Sequence, residues 1–195
     1  MNVAVLDSEA EEFYDEVKRS AEAGIDGLIV QDLGGLLIAR AAVTDMPLHG
    51  STQMTVHTPL GAEFAQKLGI CRIVPARELT LDEIRKICET GMETEVFVHG
   101  AQCMCLSGQC YMSAVIGSRS ANRGQCAQAC RLPFSAVGKP AEEYALSLKD
   151  MSLVRHVDEL CDIGCASFKI EGRMKRPEYV AAAVTALRNA VDGTG

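Results

Sequence analysis

Arg72-Ile-Val-Pro-Ala-Arg-Glu-Leu-Thr-Leu-Asp-Glu-Ile-Arg-Lys-Ile-Cys-Glu-Thr-Gly-Met-Glu-Thr-Glu-Val-Phe-Val98 contains one full repeat of the pattern that decides the fold. Arg72-Ile73-Val74 reads as a short strand with Arg77 and Glu78 just beyond it. Thr80 can cap a helix whose first turn carries Asp82 and Glu83, where acidic groups meet the positive end of the helix dipole. Glu95-Val-Phe-Val98 is then the next strand. The same interval recurs toward the N-terminus. Ser8 can cap a helix with Phe13, Val17 and Ala21 on one stripe, ended by Gly24, and Gly27-Leu-Ile-Val30 follows as a buried strand. A helix runs from Leu33 to Ala42, Pro47 opens a strand ending at Ser51-Thr-Gln53, and a helix from Thr58 to Leu68 stops at Gly69. A short strand Val3-Ala-Val5 precedes them all.

Beyond Val98 the rhythm breaks at His99-Gly100. Residues 101–131 hold several glycines, little periodicity and five of the nine cysteines. A loop of that length inside a compact domain is usually functional. A helix from Lys149 to Ile163, a strand Ala166 to Ile170 and a helix from Pro177 to about Ala190 restore the pattern. Such alternation specifies βα units around a parallel sheet, an α/β fold. These segments supply at most six strands, whereas a closed βα barrel needs eight and about 250 residues, so the sheet is open or the barrel incomplete. The expected organisation is βα repeats over 1–100, a cysteine-rich metal-binding loop over 101–133, and the remaining βα units of the same domain over 134–195.

At 195 residues, 48% hydrophobic and 23% charged, the chain can bury one sizeable core. No apolar run reaches eighteen residues and the opening stretch is acidic, so a cytoplasmic protein with no membrane segment is expected. Thiols in that compartment stay reduced, and clustered ones there bind metal or do redox chemistry. A formal charge of −7 argues against a surface built for nucleic acid throughout, so any RNA contact must be local. Arg119, Arg123 and Arg131, with Lys169, Arg173, Lys175 and Arg176, could form such a basic rim.

The residues that end the strands are polar: Gln31, Asp32, Ser51, Thr52, Gln53, Arg77, Glu78, His99, Lys169, Glu171 and Arg173. Parallel α/β folds place their sites at that carboxyl edge, although strand ends are polar in any case. Arg77, Lys169 and Arg173 are candidate anchors for carboxylate or phosphate, the alternative being structural pairing with Glu78 and Glu171. His99 is the candidate polar group nearest the cysteines. Cys103, Cys110, Cys126 and Cys130 give C-x6-C-x15-C-x3-C, two pairs of soft ligands suited to zinc or an iron–sulfur cluster. Cys105 is a spare ligand, Cys71, Cys88 and Cys161 fall on apolar positions expected in the core, and Cys161 with Cys165 could form a second redox or ligand pair.

Glu95-Val-Phe-Val-His-Gly-Ala before Cys103, Ser107-Gly-Gln-Cys110, Ser120-Ala-Asn-Arg-Gly-Gln-Cys126 and Cys130-Arg-Leu-Pro133 together resemble the signature of the U32 family, historically called collagenase-like peptidases. The likeness extends through Val30-Gln-Asp-Leu-Gly34, His49-Gly-Ser-Thr-Gln53, Ala76-Arg-Glu-Leu79, Ser147-Leu-Lys-Asp150 and Phe168-Lys-Ile-Glu-Gly-Arg-Met-Lys175. It implies an incomplete TIM-like (β/α) barrel with parallel strands and a long cysteine-rich insertion loop. It also implies that Cys103, Cys110, Cys126 and Cys130 hold an iron–sulfur cluster, 4Fe-4S in type. Family members carry about two further βα units ahead of this start and often continue beyond Gly195, so a fragment is expected.

The resemblance further implies oxygen-independent hydroxylation of an RNA base, either a ribosomal RNA cytidine or a transfer RNA uridine. Its wording is closest to the ribosomal branch, and prephenate, a small organic acid, is an implied co-substrate. His99, Arg77, Glu78, Lys169, Glu171 and Arg173 are the candidate catalytic residues. A peptidase needs an activated nucleophile or a metal-bound water, and neither H-E-x-x-H nor G-x-S-x-G occurs. Peptidase activity therefore stands as the alternative that the family label carries. A third possibility is a non-catalytic cluster-binding module that self-associates through an open sheet edge.

Overall fold

The structure, a computed structural model, describes residues 2–135, 137–138 and 144–193. Residues 136, 139–143 and 194–195 of the expected last portion lie outside the described residues. Helix α1 (Ala10–Glu22) buries Phe13 and Val17 and leads through Gly24, at φ +82°, into strand β1 (Leu28–Val30). Helix α2 (Leu33–Ala42) starts where the Asp32 carboxylate accepts the Gly35 N–H. Strand β2 (Leu48–Gly50) and helix α3 (Pro59–Lys67) follow, the helix capped by Thr58 with Pro59 at its first position. Strand β3 (Ile70–Ile73), helix α4 (Leu81–Cys88), capped reciprocally by Thr80 and Glu83, and strand β4 (Glu93–Ala101) complete the first half. Helix α5 (Met112–Gly117), strand β5 (Asp150–Ser152), helix α6 (Val157–Asp162), strand β6 (Ser167–Glu171) and helix α7 (Pro177–Asp192) make up the rest.

Strands β1 to β4 pair in chain order and parallel, and the sheet curls into a half-barrel. Strand β3 meets only the start of β4, at Glu93 and Thr94. β5 then pairs antiparallel with His99 to Ala101, while β6 runs parallel along residues 95–100. His99 is partnered by Ser152 and Ile170 at once, so β5 and β6 lie on opposite edges of β4. The core divides at β4. One cluster gathers Phe13, Val17, Leu28, Val30, Leu36, Leu48, Ile70, Ile73 and Ile87 between β1–β3 and α1–α4. A smaller one packs Val96 and Val98 against Val157, Leu160 and Leu187.

Several expectations are corrected. Val3–Val5 is not a strand, because the Ala4 and Val5 N–H groups are taken by Asn122 O and the Asp32 carboxylate. Ser8 lies inside a short 3-10 turn, and Glu9 occupies the cap of α1. The helix expected from Lys149 begins only at Val157, since residues 150–152 find hydrogen-bond partners on β4 instead. Cys71 is exposed rather than core: the register of β2 against β3 jumps from Leu48↔Ile70 to His49↔Arg72, leaving Cys71 as the extra residue of a bulge. Cys161 is likewise exposed and Cys88 half-buried. Among the described residues no helix is long and apolar enough to cross a membrane.

Candidate functional site

The residues that follow β2 and β3 converge on one short stretch of the segment between β4 and β5. Ser107 is its hub, at 0% exposure. The Ser107 N–H donates to Glu78 Oε1 at 3.1 Å and its hydroxyl to Glu78 Oε2 at 2.9 Å. The same hydroxyl oxygen accepts from the Arg77 backbone N–H at 3.1 Å and from Arg77 Nε at 3.3 Å. Thr52 Oγ1 stands 3.1 Å from it, and Thr55 Oγ1 donates to Ser107 O at 2.9 Å. Gly108, at φ +76°, passes so close to β2's end that a Cβ would lie 2.4 Å from Gln53 O.

A second tie lies further along. Asn122 Nδ2 donates to Gly108 O at 3.1 Å, while Asn122 O accepts from Gln31 Nε2 at 3.0 Å and from the Ala4 N–H at 2.9 Å. Arg123 grips Ala4 O at 2.9 Å and both carboxylate oxygens of Glu9. Thus Gln31, Thr52, Gln53, Arg77 and Glu78 gather at the carboxyl edge, and their contacts hold the cysteine segment against the sheet. Glu78 is accordingly a positioning residue in this arrangement, with His57 Nε2 3.0 Å from its Oε1.

Burial pushes the Glu78 carboxyl up, but the bonds from Ser107 and His57 outweigh it and hold the group below its usual value. The hydrogen bond from Arg123 holds Glu9 at about 2. Both folded values are depressed, so both ties are fully present above the ordinary carboxylate value of 4.5 and are lost as pH falls below it, Glu9's toward about 2. Hydrogen exchange at residues 104–124 is therefore expected to speed up between about pH 4.5 and pH 2.5 before the sheet itself opens. Exchange rates, corrected for intrinsic chemistry, that stay level down to global unfolding would contradict the clamp.

The clamp presents the cysteines. Cys110 and Cys105 sit on its near side and Cys126 and Cys130 beyond α5; Cys103 lies just after β4. Burial raises the Cys130 thiol; Arg131 opposes this, and the charges of Cys103 and Cys126 add to it. Burial also raises Cys105, with Cys110, to which it is hydrogen-bonded, and Cys103 contributing further. Cys103 thus acts on both Cys105 and Cys130. The Gln128 N–H points at Cys126 Sγ at 3.4 Å, from a residue at φ +54°. Among the described residues no three His, Cys, Asp or Glu side chains stand ready to hold a metal ion. The thiols therefore influence one another without having closed on a common point, and a set of five thiols is the donor chemistry of a soft metal or iron–sulfur centre.

The other candidates divide. His99 lies at the far end of β4 with Nδ1 buried and unpartnered, its ring 5.4 Å from that of Tyr179. Tyr179 donates to Asp150 Oδ2 at 2.9 Å and Lys175 reaches the same oxygen at 2.7 Å. The Lys175 bond holds the Asp150 carboxyl below its usual range. Arg131, next to Cys130, spans Ser147 Oγ, Leu148 O and Gln102 O. Lys169 is not at the strand end: it sits in mid-β6 and pairs with Glu95 at 2.7 Å. Glu171 lies beside Gly100, and Arg173 is exposed. Of the seven expected rim cations, Arg123, Arg131, Lys169 and Lys175 are engaged internally. Arg119, Arg173 and Arg176 are exposed with no side-chain partner among the described residues. Sequence reasoning gave no role to Ser107, Asn122, Asp150 or Tyr179, although the first three lie within the motifs Ser107-Gly-Gln-Cys110, Ser120-Ala-Asn-Arg-Gly-Gln-Cys126 and Ser147-Leu-Lys-Asp150.

A serine, a carboxylate and a histidine do meet here, but in the wrong order for a nucleophile. Ser107 gives its proton to Glu78, not to His57, and is closed to solvent. Beside the clamp a cavity of about 260 Å³ lies in the gap between β3 and β5, lined by Arg77, Phe97, Gln102, Met151, His156 and apolar neighbours.

The sequence profile of peptidase family U32 matches residues 1–194. The chain is 40% identical over 198 residues to the 23S rRNA 5-hydroxycytidine C2501 synthase of Escherichia coli, covering 98% of this chain and 30% of that protein. It is 35% identical over 190 residues to the tRNA hydroxylation protein P1 of Bacillus subtilis, with 91% and 45% covered. A protein of Porphyromonas gingivalis named collagenase is 29% identical over 211 residues, with 98% and 50% covered. The chain thus spans between 30% and 50% of these relatives' lengths.

Proposed function

The chain belongs to peptidase family U32, and from that membership we propose that it serves oxygen-independent hydroxylation of an RNA base, a ribosomal cytidine or a transfer RNA uridine, in the cytoplasm. Cys103, Cys110, Cys126 and Cys130 hold an iron–sulfur cluster in this reading, 4Fe-4S in type, with zinc as the alternative. The observation that carries it is the clamp, because Ser107 and Asn122 fix the cysteine segment over the carboxyl edge, where α/β folds do their chemistry. When bound, such a cluster supplies an electron or an open iron site.

The chain's own residues supply the rest. Arg77 spends its Nε on Ser107 and keeps its terminal nitrogens for a carboxylate at the mouth of the neighbouring cavity. That cavity suits a small organic acid such as prephenate. Arg119, Arg173 and Arg176 offer phosphate contacts, and Tyr111, 64% exposed beside Cys110, offers a face on which an unstacked base can lie. His99, Glu171 and Lys169 complete the candidate catalytic set, with Lys169 acting on the charge of Glu95 rather than on substrate. β1 and β6 each have one paired edge among the described residues, and further strands of a longer protein or a second copy would add there.

The collagenase-named relative supports a peptidase reading, which the buried, carboxylate-bound Ser107 weakens. Two measurements test the proposal. Anaerobically purified protein is expected to contain iron and sulfide with a visible charge-transfer band, and Cys126→Ser to lose most of both. RNA from cells lacking the gene is expected to lose one added oxygen on a single cytidine or uridine. Unchanged RNA masses, or gelatin cleavage that survives Cys126→Ser, would overturn it.

A further inference from the structure

The amino edge of the sheet holds a second group of thiols, at the opposite end of the strands from the cysteine-rich segment. Cys88 is the last residue of α4, just before the turn into β4. Cys165 ends the turn between α6 and β6, where Gly164, at φ +87°, reverses the chain so that the Cys165 N–H returns to Leu160 O at 3.0 Å. The two turns lie side by side because the Ala166 N–H donates to Thr94 O at 2.9 Å. A Cβ on Gly164 would stand 3.9 Å from Cys88 Cβ. The Cys88 and Cys165 thiols lie close enough to act on one another, both are half-buried, and exposed Cys161 lies one turn of chain before Cys165. Among the described residues no hydrogen bond or ion pair ties this group to the clamp or to the candidate metal ligands.

We propose that Cys88 and Cys165 form a thiol–disulfide exchange site that takes low-molecular-weight disulfides and closes to an internal Cys88–Cys165 bridge. The hydrogen bond from Cys165 lowers the Cys88 thiol against the effect of burial, while the same bond and burial raise Cys165. Cys88 is therefore the attacking thiolate and Cys165 the resolving thiol. Cys88 attacks one sulfur of the small disulfide, whose S–S bond breaks and whose other half leaves as a thiolate. Cys165 then loses its proton to water and attacks the Cys88 sulfur of the mixed disulfide, expelling the second small thiolate. Two protein thiols are oxidised by two electrons in all, and one small disulfide is reduced to two thiols. The bridge joins α4, which contributes Ile87 to the larger core and Leu81 and Ile84 to the smaller, to the root of β6.

The test uses the whole chain, reduced and then incubated with excess oxidised glutathione, acid-quenched, alkylated and digested. Trypsin with Glu-specific and Asp-specific proteases isolates Ile87-Cys88-Glu89 from the peptide spanning Asp162 to Lys169, which carries Cys165 without Cys161. These two peptides are expected joined in most molecules and separated again by dithiothreitol. Cys165→Ser is expected to accumulate glutathione on Cys88, at least several-fold over the wild type. A Cys161–Cys165 link in place of the Cys88 link would overturn the proposal. So would equal alkylation of Cys88 with and without oxidant. The wild-type mapping stands whether or not a variant folds, and it reads these peptides apart from those of Cys103 to Cys130.

Discussion

Gly100→Ala is expected to cost the fold about 3 kcal/mol or more, because two independent penalties fall on one buried position. Gly100 adopts φ +119°, which side chains other than hydrogen rarely tolerate. A Cβ there would also lie 2.2 Å from Glu171 O and 3.0 Å from its carbonyl carbon, and this obstacle is the backbone of β6 rather than a flexible tip. β4 cannot move aside, since Gly100 is paired with Met151 on one edge and Glu171 on the other. The urea midpoint should fall sharply at an unchanged denaturant slope. A midpoint within experimental error of the wild type would mean that β4 and β6 do not meet as described.

The second large effect is local. Ser107→Ala deletes one hydroxyl that donates to the Glu78 carboxylate and accepts from two nitrogens of Arg77. With the serine side chain wholly buried, water cannot replace these bonds without opening the segment. The expected loss is about 2 to 3 kcal/mol in docking the cysteine segment, charge-assisted bonds being the stronger kind. Proteolysis between residues 104 and 124 should rise about thirtyfold or more, while the global urea midpoint moves far less. If the segment holds the proposed iron–sulfur cluster, iron content should fall with it. An unaltered cleavage rate would show that the segment is held elsewhere.

These two residues also mark how far the sequence could be read. Helix α2 was legible to both ends, and Thr58, Thr80 and Gly69 announced the boundaries of α3 and α4, because caps and φ-positive glycines act locally. β5 was not legible: three residues carry no period, and only their pairing with His99 to Ala101 makes them a strand. Lys169 looked like a strand-end anchor, yet its charge is answered by Glu95 on a strand 74 residues away. The gathering of polar groups at the carboxyl edge could be foreseen, because in a parallel sheet it follows from strand order alone. Their use as a clamp could not, since Gln31 and Asn122 are 91 residues apart and Arg77 and Ser107 are 30 apart. The approach of Cys88 to Cys165 was invisible for the same reason, because 77 residues separate them and only Cys161 stands near Cys165 in the chain.

The ties to Asn122 and Arg123 carry a kinetic implication. They reach back 91 residues to Gln31 and 119 to Ala4. Closing such large loops is entropically slow and gives nothing in return until both ends are already in place. The thiol-bearing stretch therefore settles last, onto strands that have assembled without it. An inorganic cofactor would be loaded into a nearly finished protein rather than nucleating one. During synthesis the unclaimed sulfurs would spend the interval accessible to whatever delivers iron or to whatever oxidises it.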